Sequence, residues 1–276
     1  MKIFLDSADL EEIKKAKSYG ILEGVTTNPS LIKKAAKARS VKDLEVYIKE
    51  ILKVCKGIPV SLEVIGSNYE DMFNEGKLLF KKFNPVAKNV YIKIPINPSL
   101  KKGDGKKSDG IKAIKALTKL GIPVNCTLIF TPEQALLAAI AGAKFVSPFA
   151  GREDDFIRES AGLKFDKKTH FPVEGLRKGK RILNDNGIYS GIDLIEEIVE
   201  IFENKDISCE VLAASLRNPR QVREAALVGA DIATIPLDVI ESLLDHEKTR
   251  EGMKGFTKDT IPEYSKIFKK SKNKRK

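Results

Sequence analysis

Short apolar runs alternate with amphipathic stretches along almost the whole chain. KIFLDS (2–7), GVTTNP (24–29), PVSLEVI (59–65), NVYIKIP (89–95), VNCTLIF (124–130), AKFVSPF (143–149), CEVLAAS (209–215) and DIATIP (231–236) have the length and flanking turn residues of buried strands. Between them, stretches such as DLEEIKKAKSYG (9–20), VKDLEVYIKEILKVC (41–55), DGIKAIKALTKLG (109–121), TPEQALLAAIAG (131–142) and NPRQVREAALVG (218–229) place apolar residues at i, i+3 and i+4. Most begin at a capping residue and stop at glycine, as helices do. Eight strand–helix units within residues 1–265 predict an α/β fold, a (β/α)8 TIM barrel in one domain. A doubly wound open sheet would share this alternation, but no GxGxxG follows any strand to favour it.

One connection breaks the rhythm. After AKFVSPFAGREDD (143–155) the next helical pattern is SGIDLIEEIVEIF (190–202), so residues 156–187 read as an insertion after the sixth strand. Such connections usually run ~2–6 residues, and on a barrel this one would leave from the face that carries the active site. It is basic, with Lys164, Lys167, Lys168, Arg177, Lys178, Lys180 and Arg181. It is either a surface excursion or subunit contact, or a lid whose cations recognise an anionic substrate.

The C-terminal ends of the runs are polar. Side chains alternate along a strand, so residues two apart share a face. Asp6, Asn28, Glu63, Lys93, the Asn125/Thr127 pair, Ser147 with Phe149, and Ser215 with Arg217 put polar groups at seven of the eight strand ends. Singly, each has an ordinary explanation. Asp6 and Asn28 suit helix caps, Thr127 and Ser147 suit satisfied core hydroxyls, and Glu63 and Lys93 suit a structural ion pair. Barrel interiors favour Val, Ile and Leu, however, so a converging polar set is hard to explain as packing.

Lys93, in the middle of an apolar strand, is the most informative member. A buried ammonium needs a partner, an exit to water, or a pKa low enough to leave it neutral. A lysine desolvated among apolar neighbours attacks carbonyls and forms Schiff bases. That chemistry also needs a carboxylate to take a hydroxyl proton, a task for Asp6, and an acid/base group for imine formation, a task for Glu63. Arg152, Ser215 and Arg217 offer donors for an anion where barrels often hold phosphate. The residues therefore describe a lysine-dependent aldol enzyme acting on a phosphorylated sugar.

FLDSAD, GVTTNPSL, SLEV, YIKIP, NCTLIF, SPFAGR and ASLRNPRQV, in this order, resemble the transaldolase family, which includes the fructose-6-phosphate aldolases. The likeness spans residues 2–155 and 188 to about 265. It implies a class I mechanism with no metal or cofactor and with Lys93 as the Schiff-base residue. Asp6 is then the acid/base for carbon–carbon cleavage, and Glu63 and Thr127 hold a water that assists imine formation. Asn28, Asn125 and Ser147 orient the substrate, while Arg152, Ser215 and Arg217 hold phosphate. Fructose-6-phosphate aldolases carry tyrosine where Phe149 stands and glutamine where Glu63 stands. Those two positions point to the transferase branch, which moves a dihydroxyacetone unit from a ketose phosphate to an aldose phosphate in the pentose phosphate pathway. The resemblance also implies a homo-oligomer.

Composition narrows what remains. The formal net charge is +11, but residues 266–276 contribute seven positive and no negative charges, leaving +4 elsewhere. That tail reads as a disordered, solubilising terminus, so nucleic acid is not expected as a partner. Three widely spaced cysteines and two histidines fit neither a disulfide framework nor a zinc pattern. With no 18-residue apolar run and an acidic start after MKIFL, the expectation is a cytoplasmic protein without a membrane partner.

Overall fold

The computed structural model describes residues 1–269. Eight parallel strands close into a barrel: β1 (Lys2–Asp6), β2 (Leu22–Thr26), β3 (Val60–Glu63), β4 (Val90–Pro95), β5 (Val124–Ile129), β6 (Phe145–Pro148), and, after a small hairpin of β7 (Arg177–Lys178) and β8 (Arg181–Ile182), β9 (Glu210–Ala213) and β10 (Ile232–Ile235). Their order around the barrel is the chain order, with β10 paired to β1. The fold is the (β/α)8 barrel that the alternation predicts, and each expected strand lies within its run or a residue or two from it.

The helices are α1 (Leu10–Ser18), α2 (Pro29–Ala38), α3 (Leu44–Val54), α4 (Tyr69–Ala87), α5 (Asp109–Lys119), α6 (Pro132–Ala141), α7 (Ala150–Ser160), α8 (Gly191–Asn204), α9 (Pro219–Leu227), α10 (Leu237–Ser242), α11 (Glu247–Lys258) and α12 (Pro262–Lys269). Their starts are set locally. Asn28, Asn68, Thr131, Ser190 and Asn218 each accept a backbone N–H three residues on, and proline occupies the first turn of α2, α6 and α9.

Period-two alternation sorts the barrel interior into layers. Phe4, Tyr91 and Phe145 form an aromatic floor, with Phe4 edge-on to Phe145 at 5.9 Å and Tyr91 stacked on Phe145 at 4.9 Å. Two residues further along the same strands stand Asp6, Lys93 and Ser147. The polar layer thus rests directly on a packed aromatic one, which closes the barrel beneath it.

Helix α7 is where the sequence pattern misleads. Five residues assigned to the insertion, 156–160, complete this helix. Its buried face carries Glu153, Asp154, Asp155 and Arg158 beside Ala150 and Ile157, and no side chain caps its start. Neither an apolar stripe nor a capping residue marks it, so periodicity cannot find it.

Two compact units divide the chain, Met1–Val239 with the whole barrel and a second from Ile240 onward. The second contains α11 and α12; α12 takes in residues 266–269 of the expected tail, while 270–276 lie outside the described residues. Among the described residues no helix is long and apolar enough to cross a membrane.

Candidate active site

Strand register brings the chemistry together. In the parallel ladder Glu63 on β3 stands level with Lys93 on β4, and Lys93 stands level with Asn125 on β5. Across the barrel, Asp6 on β1 is level with Thr26 on β2. Neighbouring residues in register point to the same face, so these side chains converge without help from any loop.

Lys93 is 4% exposed. Of the three ways to tolerate a buried lysine, the structure shows a partner: Nζ lies 3.1 Å from Glu63 Oε2 and donates to the Thr27 carbonyl at 3.3 Å. The amine opens onto a cavity of about 120 Å³ lined by Asp6, Asn28, Ser147, Phe149, Arg152 and Ser215 among others. Lys93 Nζ lies 5.9 Å and the Arg152 guanidinium 5.1 Å from the centroid of the Phe149 ring.

Two hydrogen-bond chains fix the walls. Thr234 Oγ1 lies 2.6 Å from Thr26 Oγ1, and the Thr26 hydroxyl donates to Asp6 Oδ1 at 2.7 Å. Ser147 donates to Asn125 Oδ1 at 2.7 Å, and Asn125 Nδ2 donates to Ser61 Oγ at 3.1 Å. Burial raises the Asp6 carboxyl above the ordinary aspartate range, against the opposing pull of Lys93, the Thr26 hydroxyl and Arg152. A carboxyl held up in this way exchanges its proton at higher pH than an ordinary aspartate.

Not every expected residue faces that cavity. Glu63 meets Lys93 itself, and Asn125 stands behind Ser147. Thr127 is fully buried, and its hydroxyl has no hydrogen-bond partner within the protein. Asn28 lines the cavity and also caps α2 through Oδ1, accepting from Leu31 N at 3.0 Å. Arg217 lies on an adjoining cavity of about 540 Å³, which shares Arg152 with the first. There it is held by Asp155 through two 2.7 Å hydrogen bonds.

Glycine is required at one point in this arrangement. A Cβ on Gly151 would come within 2.2 Å of the Ser215 carbonyl and 2.9 Å of Arg217 Nε, so any side chain there would displace both residues. Ser215 itself holds left-handed backbone, φ 62°, just past the end of β9.

Sequence reasoning missed Thr26, Thr234, Ser61 and Asp155. Thr234 sits on the one strand to which no polar group was assigned, and it completes the ring of eight. Its signal is present in DIATIP, where it shares a face with Ile232. Asp155 gave no usable signal, because it lies on the helix that has no apolar stripe. Among the described residues, no group of three or more His, Cys, Asp or Glu side chains is arranged to hold a metal ion.

The family described as Transaldolase/Fructose-6-phosphate aldolase matches residues 3–275. The chain belongs to this family. Among its relatives, the "Probable transaldolase" of Aquifex aeolicus is 43% identical, over 95% of this chain and 99% of that one. That of Exiguobacterium sibiricum is 41% identical, and that of Carboxydothermus hydrogenoformans 42%, each over 94% of this chain and 97% of the relative. Transaldolase family membership thus joins a closed barrel to a buried lysine–glutamate pair at its polar end.

Proposed function

We propose that the protein is a transaldolase. Lys93 forms a Schiff base with a ketose phosphate, fructose 6-phosphate or sedoheptulose 7-phosphate, and passes its dihydroxyacetone unit to an aldose phosphate. The observation that carries this reading is the buried contact between Lys93 Nζ and Glu63 Oε2 at 3.1 Å, beside a cavity that Asp6 also lines. The name shared by the relatives agrees with it.

Each residue has a task that its position permits. Glu63 is within direct reach of the amine, so it can take the ammonium proton and free the nitrogen to attack the ketose carbonyl. Addition gives a carbinolamine, and loss of water gives the iminium. Asp6, raised by burial, then removes the proton from the hydroxyl on the fourth carbon. The bond between the third and fourth carbons breaks, its electron pair moves to the iminium nitrogen as an enamine forms, and an aldose phosphate leaves. The enamine attacks the carbonyl of the second aldose phosphate, and hydrolysis frees Lys93. Thr127, buried with an unpaired hydroxyl, suits the water that enters and leaves during these steps. Ser147, Asn125 and Asn28 suit the hydroxyls of the bound sugar, while Arg152, Ser215 and Arg217 suit its phosphate.

Phe149 separates this reading from that of a fructose-6-phosphate aldolase. Its ring lies 5.9 Å from Lys93 Nζ and carries no hydroxyl to protonate the enamine. The enamine therefore waits for an aldehyde. Purified protein given fructose 6-phosphate alone should release less than one dihydroxyacetone per site over the time in which added erythrose 4-phosphate supports many turnovers. Sustained release of free dihydroxyacetone without an acceptor would make the enzyme an aldolase instead.

A further inference from the structure

Residues 165–173 of the insertion are anchored to α7, α9 and the start of α8. Arg158, 4% exposed, donates to the carbonyls of Thr169 and His170 at 3.0 and 3.1 Å. Its guanidinium also lies 5.0 and 4.8 Å from the centroids of the Phe165 and Phe171 rings. Phe171 is 1% exposed, His170 Nε2 meets both carboxylate oxygens of Glu224 at 3.0 Å, and Ser190 Oγ donates to the Val173 carbonyl at 2.8 Å. Buried aromatic anchors and charge-assisted hydrogen bonds at this density hold a segment in one place.

What that fixed segment presents is the backbone and side chain of Lys167. Its carbonyl accepts from Arg217 Nη1 at 3.2 Å, next to the two bonds that Arg217 donates to Asp155, and the Lys168 carbonyl accepts from Asn218 Nδ2 at 3.4 Å. The Lys167 side chain lines the 540 Å³ cavity with Arg152 and Arg217. Its ammonium stands 3.9 Å from Asp155 Oδ2, while its side chain is 70% exposed. Asp155 already has both oxygens on Arg217, so it does not depend on Lys167. The ammonium can therefore turn to an anion between the two arginines at little cost. Glu159 and Asp185 line the same cavity and oppose a second phosphate there, so it suits one anionic group.

We infer that residues 161–187 form a fixed wall of the substrate cavity, and that Lys167 is a specificity-determining residue supplying a third cation for the substrate's phosphate. The inference rests on the transaldolase reading for its substrate, but its geometry concerns anion binding alone. The test compares the wild-type protein with Lys167→Ala and Lys167→Arg. The alanine variant keeps the carbonyl on Arg217 and removes only the ammonium.

Two measurements keep the inference apart from the assigned reaction. By calorimetry, inorganic phosphate should bind Lys167→Ala about three- to tenfold more weakly than wild type, with Lys167→Arg close to wild type. This arm needs no turnover, so it stands even if the enzyme acts on another substrate. In steady-state assays the alanine variant should raise KM for erythrose 4-phosphate by a similar factor and leave kcat and the KM for unphosphorylated glyceraldehyde unchanged. Equal phosphate affinity in all three proteins would overturn the inference. So would a KM rise of the same size for both acceptors, since that would mean a general disturbance of the wall.

Discussion

The lysine side of the site and its arginine side, to which phosphate is assigned under the proposed function, are built by different means. Glu63, Lys93 and Asn125 stand in a row because β3, β4 and β5 pair in register, and nothing outside the sheet is needed to hold them there. Arg217 is held by Asp155 from α7 and by a carbonyl from the insertion, two segments that no strand positions. On the proposed mechanism the reacting bond is served by paired strands, and the anionic handle by segments outside the sheet. That division is expected of a barrel enzyme, in which strand ends carry catalysis and the following loops carry specificity.

The largest effect should come from the strand row. Lys93→Met should lower turnover by roughly 10⁴-fold or more in a coupled assay, because among the described residues lining the cavity it is the only amine. Asp6→Ala should slow cleavage by about 10²–10⁴-fold while still forming an imine, as rapid-quench trapping would show. Because Asp6 is raised and must be ionised to accept a proton, the acid limb of the wild-type kcat profile should lie above the ordinary aspartate range. A limb at or below that range would remove Asp6 from its role.

The phosphate side should respond in binding before rate. Arg217→Ala should raise KM for phosphorylated substrates by about 10- to 100-fold, the worth of one or two charge-assisted hydrogen bonds, with a smaller change in kcat. If kcat fell and KM did not, the contrast between the two regions would be wrong.

The last effect concerns stability alone. Burial, with Asp185 and Asp154 nearby, raises Glu153 from 4.5 to about 7, and one of its oxygens is buried without a partner. The folded state therefore holds a proton more tightly than the unfolded one. Its stabilising contribution is complete below about pH 4.5 and is lost as pH rises through 7. Glu153→Gln should be more stable than wild type at pH 8, by roughly 3 kcal/mol at most, and similar to it at pH 4. Denaturant unfolding at the two pH values would check this.

This contrast also explains what could be read from residues alone. Strands and their polar ends obey a period of two, so the pattern alone puts Asp6, Lys93 and Ser147 at the polar end of the barrel. The pairing of Glu63 with Lys93 followed as one of two open readings, and the structure shows that pair. Helix α7 hid because its buried face is charged, and with it went Asp155, the partner of Arg217. The insertion showed its length and its basic character but not its anchors. Those depend on Arg158 reaching two aromatic rings and on His170 meeting Glu224, contacts that no local pattern announces.

The proposed chemistry requires the buried amine at the centre of the strand row to bond to substrate. Borohydride reduction in the presence of fructose 6-phosphate, followed by peptide mass spectrometry, tests this directly. A stable three-carbon or six-carbon adduct on Lys93 is the expected result. An unmodified Lys93, or an adduct on another lysine in an enzyme that still turns over, would contradict it.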